Sequence, residues 1–582
     1  MDPEKPSGEG FTPRPPSTHS ATDPEKQSTL PLPRAPGTQE KSTSGVTTPN
    51  LIAEEKEGRT MTAGSHDGGG AMEVYASGKT LMPVVLALVC SVFLVALDMT
   101  IIGTAIPRIT DEFHGLKMVS WYGSVYFMTF GGFQPASGKF FRYFSLKPSY
   151  LGSILVFVLG SLICAVAQNS VTFVVGRAFA GLGAAGVATG AFTLITFVAE
   201  PKVRPGLIGL IGAVYGLSSV IGPILGGVFT DRATWRWCFW INLPVGGLSA
   251  LLIFIFFKTP PQAAPTKATW KEKLLQLDPL GVALIMGGII SFILAVENGG
   301  QKKAWNSSTV IGLFVGFVLI WVTFAAWEYY YNERAMLQRR VISRRSVWQA
   351  SVFMFFFAAG YFVLLYYLPI YFQSVDNRSA ISSGVLNLPL VLSLALGSTL
   401  SGIVVMKTGH AAPFMVVGVV LATVSMGLIY TFDIGTSVST WIGYQTFYGF
   451  TIGMSFQMGI NIAQANATPD IMSSVTATVL FFQTVGGAFA TSAAQSGFVN
   501  RVLTTLAHNS PNVDPQKVLG TGATQIRQAF PPEQVPDIVR AYMAGIKVTL
   551  LLALTLTATA CILAVFVPSK RLNTEAVQGG VA

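Results

Sequence analysis

Two ionisable residues stand inside stretches that water should not reach. Asp98 lies in LDMTIIGTAIP (Leu97 to Pro107), and Arg177 opens RAFAGLGAAGVATG (Arg177 to Gly190). A carboxyl in an apolar helix is costly and is by default a functional residue. Burial favours its protonated form and a nearby cation its charged form, so such a group can exchange protons near neutral pH. Arginine stays protonated, so Arg177 can set a neighbour's proton affinity without carrying the proton. The structural alternatives are a carboxylate that only caps or pairs with a neighbouring helix and an arginine that snorkels to the surface.

Uncharged polar residues form a second set. Gly449, Gly453, Gln457 and Asn461 recur at i+4, with Gln464 three further on. On one continuous helix this spacing puts two glycines and three amides along a single face. Such amides line a wet cavity or bond to adjacent helices. The segment 353–373 is dense in aromatics, and its Tyr361, Tyr366 and Gln373 are candidates for the wall of a cavity that takes flat amphipathic molecules. A third set is YGLSSVIGPILGGVF (Tyr215 to Phe229), with Gly216, Gly222, Pro223, Gly226 and Gly227. Water-soluble helices avoid such runs; in a membrane bundle they let a neighbour approach closely and place a bend.

These residues need elements that cross a bilayer, and the composition supplies them. Of 582 residues, 51% are hydrophobic and only 11% are charged. Residues 1–80 hold 8 Lys/Arg and 11 Asp/Glu, leaving 30 and 17 for the remainder. Basic residues recur singly between apolar runs rather than on one face, which excludes a nucleic-acid partner. The four cysteines (Cys90, Cys164, Cys238, Cys561) are far apart, the five histidines are not clustered, and G-x-x-x-x-G-K-[ST] is absent. No metal site, cofactor or ATP chemistry is expected, and an enzyme is disfavoured.

Apolar runs predict an all-α polytopic membrane protein with about fourteen transmembrane helices. They centre on 81–104, 119–138, 149–167, 172–198, 206–229, 238–257, 279–296, 309–327, 347–373, 382–405, 413–431, 438–464, 474–498 and 542–567. The expected organisation is a disordered cytoplasmic tail (1–78), a six-helix half (79–258), two inserted spans with basic inner loops (259–346), a second six-helix half (347–568) and a cytoplasmic C-terminal tail (569–582). Within the second half, 499–540 reads as a long outer loop. With the tail inside, inner loops carry fifteen Lys/Arg against seven in short outer loops, which places both termini in the cytoplasm. GKFFRYFSLKP after the second span and GIVVMKTGHAAP after the tenth form a faint repeat, a plan in which the cargo site lies between two related halves.

Together these stretches resemble the major facilitator superfamily in its fourteen-span drug:proton antiporter branch. LDMTIIGTAIP looks like that branch's first-span motif. Arg177 and Gly181 match R-x-x-Q-G, with Ala180 in place of Gln, and the G-P-x-x-G-G core from Gly222 to Gly227 looks like the antiporter motif. WRWCFWINLPVG and YYLPIYFQ are similar to fungal toxin-efflux pumps. After the second span, Gly138 and Lys147 fit the superfamily pattern G-x-x-x-D-R-x-G-R-K, but Arg142 stands where Asp is expected and Ser145 where Gly is expected. The family's Asp helps latch the cytoplasmic side, so that latch is in doubt here; Gly138, Arg142 and Lys147 remain the inner gating candidates.

The resemblance implies a proton-coupled exporter of a small amphipathic organic compound (a toxin, secondary metabolite or drug), driven by the proton gradient with no cofactor. It implies a monomer among membrane lipid, in the plasma membrane or else a vacuolar or vesicle membrane. A siderophore or basic amino acid transporter is the rival, with a non-transporting sensor more remote. Asp98 and Arg177 would be the proton-coupling pair. Asp98 falls about seven residues, roughly 10 Å, below the outer surface and Arg177 roughly 9 Å below it, so the two can meet at one depth.

Overall fold

Long apolar runs close their backbone hydrogen bonds locally, so they fold as helices where no water can satisfy a strand edge. The structure is a computed structural model and describes residue 75 and residues 78–113, 119–521 and 525–567. The tail readings for 1–78 and 569–582 fall almost wholly outside these residues. Fourteen long helices follow one another: α1 (Gly78–Phe113), α2 (Val119–Tyr143), α3 (Leu146–Ala165), α4 (Ser170–Val198), α5 (Arg204–Arg232), α6 (Asn242–Phe256), α7 (Pro279–Asn298), α8 (Ser308–Tyr331), α9 (Arg345–Ser374), α10 (Leu388–Thr408), α11 (Ala412–Tyr430), α12 (Val438–Phe456), α13 (Met472–Asn509) and α14 (Val535–Ala564). Among the described residues, twelve of the helical stretches are long and apolar enough to cross a membrane. The other two are α2 and α12, where Gln134, Gln445 and several Ser, Thr and Tyr dilute the apolar run.

Helix starts follow ordinary capping chemistry. Asn169, Ser307 and Ser437 accept from the backbone N–H of Thr172, Val310 and Thr440, opening α4, α8 and α12. Glycine sets how closely neighbours approach. Carbon added at Gly160 or Gly183 would collide with the backbone of Ala180 or Phe157, so α3 and α4 touch main chain to main chain.

Helices α1–α6 and α9–α14 meet along a seam. On one side α5 faces α10: Ser398 Oγ donates to the Gly209 carbonyl at 3.0 Å, and Gly216 abuts Leu394. On the other, α2 faces α13: Gly138 abuts Ala477 and Ser473, and Gly131 abuts Thr484. The inserted pair α7–α8 covers this second side. Val282, Ile285, Ile289 and Phe324 pack with Ala136 of α2 and with Phe481 and Val485 of α13.

Two expectations are corrected. Segment 499–540 is mostly helical rather than a long loop: α13 runs on to Asn509, two short helices follow at Pro515–Gly520 and Ile526–Ala529, and α14 begins at Val535. Val502 and Leu506 are buried there, which extends the helix past its apolar centre, and Pro536 sits in α14's first turn, where its missing N–H costs nothing. The twelfth element is not one continuous helix. It breaks at Gln457 (φ −100°, ψ −2°) and resumes as Met458–Ala465.

Candidate functional site

Asp98 and Arg177 meet. Both side chains are fully buried, and one Asp98 oxygen is paired with the Arg177 guanidinium between α1 and α4. Arg177 Nε donates to the Tyr122 carbonyl at 3.1 Å, and its guanidinium carbon lies 4.3 Å from the centre of the Tyr126 ring. The second Asp98 oxygen accepts from Asn242 Nδ2 at 3.1 Å, and the same amide donates to Ser161 at 3.0 Å. The carboxylate thus joins α1, α4 and α6, and Asn242 extends the network to α3. A buried charge is tolerated only when paired and hydrogen-bonded in this way. Asn242 was missed as a site residue, although it lies in the quoted WRWCFWINLPVG stretch; a polar amide within an apolar segment was the available signal.

The glycine motif carries this centre. A side chain at Gly222 would strike Thr100, and one at Gly226 would strike Thr104 and the Ile101 carbonyl, so α5 lies directly on α1 two residues beyond Asp98. Gly216 faces the opposite half instead, against Leu394 at 2.7 Å from an added carbon. Pro223 and Gly227 are half-buried on the same helix. The motif therefore links the Asp98 helix to the seam.

The amide stripe divides. Gly449 and Gly453 pack against the backbone of α10 at Leu390 and Leu394 rather than lining open space. Gln457 reaches across the seam to Gly212 of α5, and its Oε1 has no hydrogen-bond partner; Asn461 Nδ2 is likewise unpartnered. Gln464 is engaged, donating to Thr476 at 2.8 Å. Of the α9 candidates, Tyr361 is buried against Phe362 and Phe456, with ring centres 5.4 and 5.3 Å away. Tyr366 is 61% exposed, and Gln373 donates to Ser383 at 2.8 Å near the helix end.

At the end bearing the basic loops, the halves are tied by charge. Arg142 lies 4.0 Å from Asp470, at the foot of α13, and Arg340 lies 3.5 Å from the same carboxylate. Arg142 also donates to Gln338 at 3.1 Å. Lys139, wholly buried, donates to Gln276 and to the carbonyls of Glu333 and Arg334 at 3.2, 3.3 and 2.7 Å. Lys147 lies apart, donating to the Phe254 carbonyl at 2.7 Å within its own half. Asp470 was not legible as a site residue, because its partner is 328 positions away in the sequence. Among the described residues, no group of His, Cys, Asp and Glu is arranged to hold a metal ion.

Comparison with known proteins places this arrangement. The sequence pattern of the Major Facilitator Superfamily matches residues 88–491. The chain is 51% identical over 512 residues to the MFS-type transporter grgE of a Penicillium species, covering 88% of this chain and 90% of that one. It is 48% identical to the probable efflux pump gsfJ of Penicillium aethiopicum (91% and 96% covered) and 39% identical to the dehydrocurvularin exporter of Aspergillus terreus (86% and 87%). In fold it matches the proton:xylose symporter XylE, with a TM-score of 0.56 at 12% identity over 85% of this chain and 98% of that one. With an extended family match and relatives alike over nearly their whole length, the chain belongs to the Major Facilitator Superfamily and is a multi-pass membrane transporter akin to its fungal efflux pumps.

Proposed function

We propose that this transporter exports small amphipathic organic molecules in exchange for protons, with Asp98 as the proton-carrying group and Arg177 as its fixed counter-charge. The observation that carries this reading is the buried Asp98–Arg177–Asn242 centre, which is joined to the seam by α5: Gly222 and Gly226 lie on α1, and Gly216 meets Leu394 of α10. Protonating Asp98 removes half of a buried ion pair, and the helix carrying it is the one that α5 grips. The two halves would then rock about the seam, opening to each side in turn. The same reading takes fourteen spans, both termini in the cytoplasm, the plasma membrane and a monomer, supported by the helix count, the fifteen-to-seven basic asymmetry and the kinship with efflux pumps. No bound cofactor is required, because the proton gradient supplies the work.

The test is Asp98→Asn, which keeps two polar atoms beside Arg177 but cannot release a proton. Efflux driven by an imposed pH gradient should vanish, while exchange of cargo down its own gradient persists in protein that reaches the membrane. Wild-type efflux with an unchanged response to the gradient would remove Asp98 from the mechanism.

A further inference from the structure

Away from the Arg142–Asp470 tie, the seam carries uncharged amides. Gln134 Oε1 of α2, Gln483 Oε1 of α13, Gln457 Oε1 and Asn461 Nδ2 have no hydrogen-bond partner, and these residues are 1%, 9%, 3% and 4% exposed. Gln134, Gln483 and Gln457 belong to elements that meet across the seam, and Asn461 lies one turn beyond Gln457. Gly131 of α2 abuts Thr484, next to Gln483, while Gln134 lies one turn along from Gly131; Gln457 abuts Gly212 of α5. Buried amide atoms are nearly always satisfied, so several unpartnered ones along one interface point to a ligand that satisfies them. Aromatic rings accompany them: Tyr215 of α5 stands 6.5 Å from Phe362 of α9, and Tyr361 packs against Phe362 and Phe456.

The acids of α1 and α7 are already engaged. Asp98 is held by Arg177 and Asn242, and Glu297 is paired with Lys302 at 2.6 Å. Asp278 accepts from Gly281, Trp327 and Met336, and Glu328 accepts from Leu337 through one oxygen while its other oxygen is unpartnered; both acids belong to the inserted region. An ion entering the seam would lose its hydration, and the carboxylate on α1 is already neutralised by Arg177. A neutral ring system bearing carbonyl or hydroxyl groups would meet rings for its faces and both donors and acceptors for its edges.

We propose that the seam binds an uncharged, oxygen-bearing aromatic cargo and rejects ions of the same shape. This rests on the transport reading and narrows it, and it sets the chain apart from carriers of cationic drugs or basic amino acids. Gln483 and Gln457 become specificity residues, because each supplies a neutral acceptor where a carboxylate would recruit cations.

Three anthraquinones sharing one ring system test it: a carboxamide, a carboxylate and a trimethylammonium derivative. Binding is measured on the full chain in nanodiscs against empty nanodiscs, and uptake in inverted vesicles against vesicles lacking the protein. The carboxamide should bind at least tenfold more tightly than either ion, and Gln457→Leu should weaken it about tenfold. Gln483→Glu, which changes one heavy atom, should raise affinity for the ammonium probe in protein that still melts cooperatively, and the ammonium probe should raise its melting temperature. Selective binding without uptake would keep the assignment of the seam and remove the transport reading. Equal or tighter binding of an ion, or binding of none of the three probes, overturns the proposal.

Discussion

Asp98 and Arg177 are each tolerable only because of the other. Asp98→Asn leaves the Arg177 guanidinium an amide oxygen to bond, together with the Tyr122 carbonyl and the Tyr126 ring face. Arg177→Ala leaves a carboxylate with only Asn242 for company, and removing one partner of a buried pair costs about 3–5 kcal/mol. Thermal unfolding in detergent should therefore rank wild type above both Asp98→Asn and Arg177→Ala. Adding Asp98→Asn to Arg177→Ala should recover part of the loss, because no charge then remains buried. If Arg177→Ala unfolded at the wild-type temperature, the pair would contribute nothing to stability. This pair was legible because an ionisable side chain in an apolar run is conspicuous, and helix depth alone brings the two to one level. Asn242 and Asp470 were not, since an amide or a loop acid is ordinary until the fold shows what it faces.

Helix α5 shows why a motif can be recognised before its geometry is. The sequence marks its glycines as contact points but not which face meets which neighbour. Gly222 and Gly226 turn to α1 and Gly216 to α10, a division that depends on where α10 arrives. The same blindness affected α12: an i+4 row reads as one face only while the helix continues, and the break at Gln457 ends that logic. The two faces of α5 should respond differently to bulk. Gly222→Leu forces a side chain onto Thr100 and the Ile101 backbone, a fixed contact inside one half, so overpacking should cost about 1–3 kcal/mol and lower efflux. Gly216→Leu meets the tip of Leu394, which can rotate away, so its melting temperature should change little while efflux slows through a splayed seam. Melting curves and efflux rates for both variants check this; identical behaviour would mean that the two faces are equivalent.

On the scale of the whole molecule, residues 259–346 join the charged tie at the end bearing the basic loops. Lys139 and Arg142 of α2 reach Gln276, the 333–334 carbonyls and Gln338, all contributed by residues 259–346, and Arg340 from the same stretch shares Asp470 with Arg142. The expected acid of the second-span loop is absent, yet a carboxylate is present across the seam, so the polarity of the tie is reversed: base on α2, acid at the foot of α13. Opening this end requires separating them. Asp470 is 44% exposed in its side chain, so the tie is screened and each pair is worth little alone. Arg142→Asp places like charges together and should loosen the end; Asp470→Arg should do so too, adding repulsion from Arg340. Combining the two restores opposite charges at positions 142 and 470, though the clash with Arg340 keeps the rescue partial. Ser473→Cys reports the state, because Ser473 is buried where Gly138 meets α13. Its labelling by a hydrophilic thiol reagent should rise several-fold in each single variant and fall back part-way in the double. Labelling that is the same in all four backgrounds would show that this end is held by Lys139 and helix packing alone.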